Sequence, residues 1–121
     1  SIKAKIGSLS HDREHLREVN SAGLYHNYIS TTMARGVMES GLFILDNPDL
    51  LTTPTLLMSA ELDNVVDVNS IERFASCCSS NIEYIKWPDM FHELHNEKER
   101  QQVLERAWDF ILTNAFLDKE K

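Results

Sequence analysis

Basic charge, long apolar runs and cysteine are all scarce in this sequence, and each shortage removes a class of function. Lys and Arg number 12 against 19 Asp and Glu, for a net charge of −7. A phosphate binder needs a basic surface to release counterions, so nucleic acid is not an expected partner. The same balance disfavours electrostatic attachment to anionic lipid and leaves an uncharged substrate open. No apolar run approaches the roughly 18 residues that a bilayer-spanning helix requires, so no transmembrane segment is expected. The opening Ser1-Ile2-Lys3-Ala4-Lys5-Ile6 leads into no long apolar stretch, so no secretory leader is expected. The only cysteines are the adjacent Cys77 and Cys78. Neighbouring thiols rarely close a useful disulfide, and two cannot complete a four-ligand zinc site. Two small, partly buried, reduced thiols are expected, which suits a reducing compartment such as the cytoplasm.

What remains is ordinary for a globular chain. Hydrophobic residues make up 42% and charged residues 26% of 121 positions, enough for one small domain with a core of its own. Residues 1–28 carry no clean period and read as a loop with one short helix around 12–19. Residues 30–46 read as a helix capped by Ser30 or Thr31. Its apolar side is Ile29, Met33, Val37, Gly41 and Ile44, with Gly36 and Ser40 allowing close approach to a support. Asp46-Asn47-Pro48 ends it, because the residue before proline avoids the helical region. Thr55-Leu56-Leu57-Met58-Ser59 is a continuous apolar run, as in a parallel strand covered on both faces. A short helix capped by Asn69 or Ser70 follows, with Ile71, Phe74 and Ala75 inward. Residues 82–87 read as a second, more exposed strand. Asn96 and Glu99 have the spacing of a capping box. The last helix then extends to about residue 117, with Leu104, Ala107, Trp108, Ile111, Leu112 and Ala115 as its core stripe. Strands alternating with helices imply an α/β class with a parallel sheet. Two strands make a poor sheet, so the first is expected to have a further neighbour.

Two loops hold the candidate chemistry. Leu62-Asp63-Asn64-Val65-Val66-Asp67 follows the first strand, and Asp89-Met90-Phe91-His92-Glu93-Leu94-His95 follows the second. Both leave the C-terminal edge of the sheet, where α/β proteins keep their sites. An acid after one strand and a histidine after the next has the order of the latter half of a Ser, Asp, His triad. In such a triad the acid accepts the imidazole Nδ1–H and fixes the tautomer. The histidine takes the serine proton and later returns it to the leaving group.

The stretch from Thr53-Pro54-Thr55-Leu56-Leu57 to Asp63-Asn64-Val65-Val66-Asp67 resembles the acid-bearing strand and loop of the monoacylglycerol lipase and lysophospholipase group. This is the serine aminopeptidase S33-like part of the α/β-hydrolases. Tyr84-Ile85-Lys86-Trp87-Pro88-Asp89-Met90-Phe91-His92-Glu93-Leu94-His95-Asn96-Glu97 resembles that group's last strand and its His-Glu-Leu-x-Asn-Glu turn. Weaker likenesses are Ser10-His11-Asp12 to a post-lid segment and Leu24-Tyr25-His26-Asn27 to the segment before the next helix. The resemblance assigns the triad acid to Asp63 and the triad histidine to His92, and gives Asp67 no catalytic part. It implies a partial α/β-hydrolase fold: the last two parallel strands with flanking helices, as the C-terminal part of one domain over 1–121, of which 1–28 is post-lid. The implied substrate is a monoacylglycerol, lysophospholipid or similar carboxylic ester, with no metal or organic cofactor.

One departure is sharp. The glycines are Gly7, Gly23, Gly36 and Gly41, and no pair brackets a serine as Gly-x-Ser-x-Gly. The oxyanion segment is missing too, so this chain alone is expected to be inactive. It is expected to serve with an N-terminal half or partner chain that brings the nucleophile. The alternative is a truncated product or non-catalytic interaction module of hydrolase descent. His92-Glu93-Leu94-His95 spaces its histidines three apart, not four as a zincin needs, and His11 with His15 is a bare pair, so metal is not expected. Met33, Val37, Met38 and Phe43 could line an acyl pocket, although packing is the commoner fate of such residues.

Overall fold

The computed structural model describes residues 2–3, 9–24, 28–78 and 81–115. The chain begins with β1 (Ile2–Lys3). Helix α1 (Arg13–Ser21) follows, capped by Asp12, whose carboxylate accepts the N–H groups of Glu14 and His15. The short β2 (Tyr28–Ile29) pairs antiparallel with β1, Ile2 opposite Ile29 and Lys3 opposite Tyr28. This small ladder was not legible in the sequence, since two-residue strands carry no period. Helix α2 (Thr31–Asp46) starts at Ser30, whose hydroxyl accepts the Met33 N–H, and stops before Pro48 as its sequence requires.

The working part is a parallel β-α-β unit. Strand β3 (Thr55–Ala60) pairs in register with β4 (Ile82–Trp87), from Thr55 opposite Ile82 to Ala60 opposite Trp87. Helix α3 (Val68–Cys77) connects them and touches both, with Ile71, Phe74 and Ala75 half-buried as expected. A single 3-10 turn (Leu94–Asn96) leads to α4 (Arg100–Ala115), and Arg106 of α4 pairs with Glu83 of β4. The core lies at the C-terminal end of the sheet. Ala60, Met90, Leu94 and Val103 are buried together, with Met58 and Trp87 against them. Removing these apolar surfaces from water is the main force holding the two site loops to the sheet.

Several local expectations are corrected. Asp67, not Asn69 or Ser70, caps α3: its carboxylate accepts the Asn69 N–H and the Ser70 hydroxyl. Asn96 does not cap the last helix, because its amide is held by the Glu93 carboxylate and its carbonyl by the Ser10 hydroxyl. The inward line of α4 is Val103, Ala107, Phe110 and Asn114, while Leu104, Trp108, Ile111 and Leu112 are exposed. Trp108 is therefore no core residue here, at 59% exposure. Met33, Val37 and Ile44 of α2 are exposed as well, and a Cβ on Gly36 or Gly41 would meet nothing within 4 Å, so those glycines permit no close approach. Among the described residues β3 pairs only with β4, which leaves these apolar faces without a cover. Cys77 is exposed and Cys78 half-buried, both free. The side chain of Ala115, Tyr25-His26-Asn27 and everything from residue 116 onward lie outside the described residues.

Candidate active site

Strand pairing brings the two loops together, and main-chain hydrogen bonds lock them. The Glu61 N–H donates to the Trp87 carbonyl at 2.9 Å, and the Leu62 N–H donates to the Met90 carbonyl at 3.0 Å. After β4 the chain turns at Pro88-Asp89, where Asp89 takes φ +54, a left-handed conformation that aspartate tolerates better than most residues. The Asp89 N–H also reaches the Glu61 carboxylate at 3.3 Å. The crossing of the two loops is thus fixed before any functional side chain is considered.

Asp63 and His92 meet across this junction. His92 Nδ1 lies 2.9 Å from Asp63 Oδ2, while Asp63 Oδ1 accepts the Val65 and Val66 N–H groups at 2.8 and 3.1 Å. The Asp63 side chain is 4% exposed and that of His92 35%. Burial pushes the Asp63 carboxyl upward, but the hydrogen bonds from His92, Val65 and Val66 outweigh it and hold the group below the usual carboxylate range. Asp63 is then ionised at neutral pH and can only accept, so the proton of a neutral His92 ring sits on Nδ1. Nε2 is left with a lone pair, and no hydrogen bond to it forms among the described residues. Such a ring can take a proton from a hydroxyl and return it.

The ring stands at the rim of an open hollow of about 410 Å³ walled by Leu56, Leu57, Met58, Leu94, Val103 and Leu104, with His95 and Ala107 beside them. The hollow is mostly apolar, which suits an uncharged chain more than a charged head. His95 points its Nε2 at the Asn96 amide, and among the described residues no three His, Cys, Asp or Glu side chains converge as metal ligands. Asp67 stays outside the pair as the α3 cap. No serine hydroxyl bonds to His92 among the described residues; Ser59, at the end of β3, bonds the Tyr84 hydroxyl instead at 2.6 Å.

Residues behind His92 escaped the sequence reading. His15 Nε2 is 2.8 Å from Glu93 Oε2, His11 Nδ1 is 3.1 Å from Glu97 Oε1, and the His11 ring stacks on Phe91 with centroids 3.9 Å apart. The spacing of His11 with His15 matches that of Glu93 with Glu97. That match is the only trace of the contact in the sequence, and it carries no meaning until the fold sets the two segments side by side.

A family model described as serine aminopeptidase S33 matches residues 1–99. An uncharacterized abhydrolase domain-containing protein of Dictyostelium discoideum is 26% identical over 105 residues. The match takes in 85% of this chain but only 11% of that relative's own length.

Proposed function

The chain belongs to the serine aminopeptidase S33 family and carries part of the α/β-hydrolase fold, and on that premise we propose that it supplies the acid and the base of a serine ester hydrolase. Asp63 orients the imidazole and stabilises the imidazolium. His92 removes the proton of a serine hydroxyl that attacks an ester carbonyl, then protonates the departing alcohol. The serine and the oxyanion donors come from polypeptide outside these 121 residues, since no Gly-x-Ser-x-Gly occurs within them. The substrate is a monoacylglycerol, a lysophospholipid or a similar carboxylic ester, whose acyl chain suits the apolar hollow beside His92.

The observation that carries this reading is the 2.9 Å contact between a nearly buried carboxylate and a part-exposed ring whose other nitrogen makes no hydrogen bond among the described residues. A fluorophosphonate probe tests it. The chain by itself is expected to remain unlabelled and to leave a p-nitrophenyl ester intact. Joined to the polypeptide that carries the elbow, it is expected to support labelling of that serine. His92→Ala should then reduce turnover by roughly 10⁴-fold or more. Turnover that survives His92→Ala would favour the non-catalytic module instead, and labelling of a serine within this chain would refute the placing of the nucleophile outside it.

A further inference from the structure

Glu97 is the largest fully enclosed side chain among the described residues, with 0% of its surface exposed. A carboxylate out of water is costly unless several donors meet it. Three do so here. Oε1 accepts the Phe91 N–H at 2.8 Å and faces His11 Nδ1 at 3.1 Å. Oε2 accepts the His11 N–H at 3.0 Å; the Ser10 hydroxyl lies 3.4 Å from it but spends its proton on the Asn96 carbonyl at 2.8 Å. Burial would raise the carboxyl, but the donors from Phe91 and His11 prevail and keep it below the ordinary glutamate range, hence ionised.

Two of the three donors are main-chain groups, and one belongs to the residue just before His92. On the other side of His92, the Glu93 N–H donates to the Leu9 carbonyl at 2.8 Å, and the Glu93 carboxylate meets His15. The backbone flanking His92 is therefore fastened at both neighbours to the segment from Leu9 to His15. We propose that Glu97 is a positioning residue, whose buried carboxylate ties the Phe91 main chain to His11 and so aims the His92 ring at Asp63. The proposal rests on the reading of His92 as the general base. A base displaced by about 1 Å loses roughly two orders of magnitude in rate, so such a tie matters although Glu97 touches neither substrate nor reacting atoms.

The test is the hydrogen-bonded Nδ1 proton of His92, observed by nuclear magnetic resonance of the whole chain. Glu97→Gln keeps the size but turns one acceptor oxygen into a donor, which must then face a donor. The expected result is loss or a large upfield shift of the His92 Nδ1 proton, while the amides of β3 and β4 keep their native dispersion. A merely stabilising Glu97 would lower the unfolding midpoint and leave that proton in place, and this outcome overturns the proposal. Asp63→Asn is the control. If the proton is insensitive to Asp63, the acid–base pair itself is wrong and the proposal falls with it; if it responds to Asp63 but not to Glu97, only the positioning role falls. Should Glu97→Gln fail to fold, Glu97→Asp decides, since it keeps the charge but withdraws the carboxylate by one methylene: a weakened or shifted proton supports the tie, and an unchanged one rejects it.

Discussion

Replacing Asp63 by asparagine separates the two tasks of that side chain. Oδ1 holds the turn through the Val65 and Val66 N–H groups, and Oδ2 faces His92 Nδ1. Asparagine can keep its oxygen on the turn, which leaves its NH₂ facing the ring. A donor then meets a donor, unless the ring moves its proton to Nε2 and presents a lone pair at Nδ1. The stability cost is the difference between a charge-assisted and a neutral hydrogen bond, about 1 kcal/mol. The chemical cost is much larger, because a ring protonated at Nε2 cannot accept a serine proton; a drop of roughly 10⁴-fold in turnover is expected in the nucleophile-bearing assembly. Urea titration reads the first quantity, and ¹⁵N shifts of the His92 ring read the tautomer. Asp63→Ala is the companion variant. It also abandons the turn, whose donors lie at the surface and can be rehydrated, so it should cost little more than Asp63→Asn. The reasoning is refuted if Asp63→Asn keeps the Nδ1–H tautomer. It is equally refuted if the substitution costs more than about 3 kcal/mol, beyond the worth of one charged hydrogen bond, since Asp63 would then be chiefly a structural residue.

Acid should weaken the fold in a definite window. Asp63, Glu93 and Glu97 are each held below their ordinary values once hydrogen bonds have outweighed burial. The unfolded chain therefore binds more protons than the folded one, and stability rises with pH. The contribution is complete above the unfolded-state values near pH 4 to 5 and is lost as pH falls through the lowered folded-state values. Urea midpoints measured from pH 7 to pH 3 should show this slope, flattened in Glu97→Gln; a flat wild-type profile would contradict the assignment. Trp87 tests the core: its Nε1–H is buried with no hydrogen-bond partner. An unsatisfied buried donor costs about 1–3 kcal/mol, comparable with the packing lost in a ring contraction. Trp87→Phe should therefore stay within about 1 kcal/mol of wild type by the same measure, and a loss above about 2 kcal/mol would mean that the indole N–H has a partner in solution.

How much of this was legible depends on the range of the signal. The strand expected over Thr55–Ser59, which runs one residue further to Ala60, the strand Ile82–Trp87 and the stop of α2 before Pro48 all follow from local rules. Asp63 and His92 could be paired because both follow parallel strands. Caps were harder: Asp67, Asn69 and Ser70 all have capping side chains, and only the backbone decides among them. The Asn96 box failed for a different reason, since Glu97 turns inward to its donors on Phe91 and His11 and the helix begins only at Arg100. Helical periodicity found the apolar side of α4 but not its neighbours. Leu104, Trp108 and Ile111 face solvent because the sheet they would cover has only two strands among the described residues. Contacts from Leu9 through His15 to residues 91–97 span most of the chain, and no local pattern announces them.

On the proposed reading, the arrangement also limits where a nucleophile can stand. Asp63 closes the Nδ1 side of the ring, and Phe91 and Glu93 are bound to the Leu9–His15 segment behind it. The open side is the hollow walled by Leu56, Leu57 and Met58 of β3 and by Leu94. A serine activated by His92 must place its oxygen about 3 Å from Nε2, and therefore must come from a segment lying alongside β3, whose outer edge carries no strand among the described residues. A parallel strand added at that edge would satisfy the unpaired main-chain groups of β3 and widen the sheet on which the helices pack. It would also deliver the turn at its own C-terminal end to the edge of the sheet from which Asp63 and His92 project. On the proposed reading, completing the sheet and completing the triad would be one geometric event, with Asp63 and His92 already paired by a hydrogen bond within this chain.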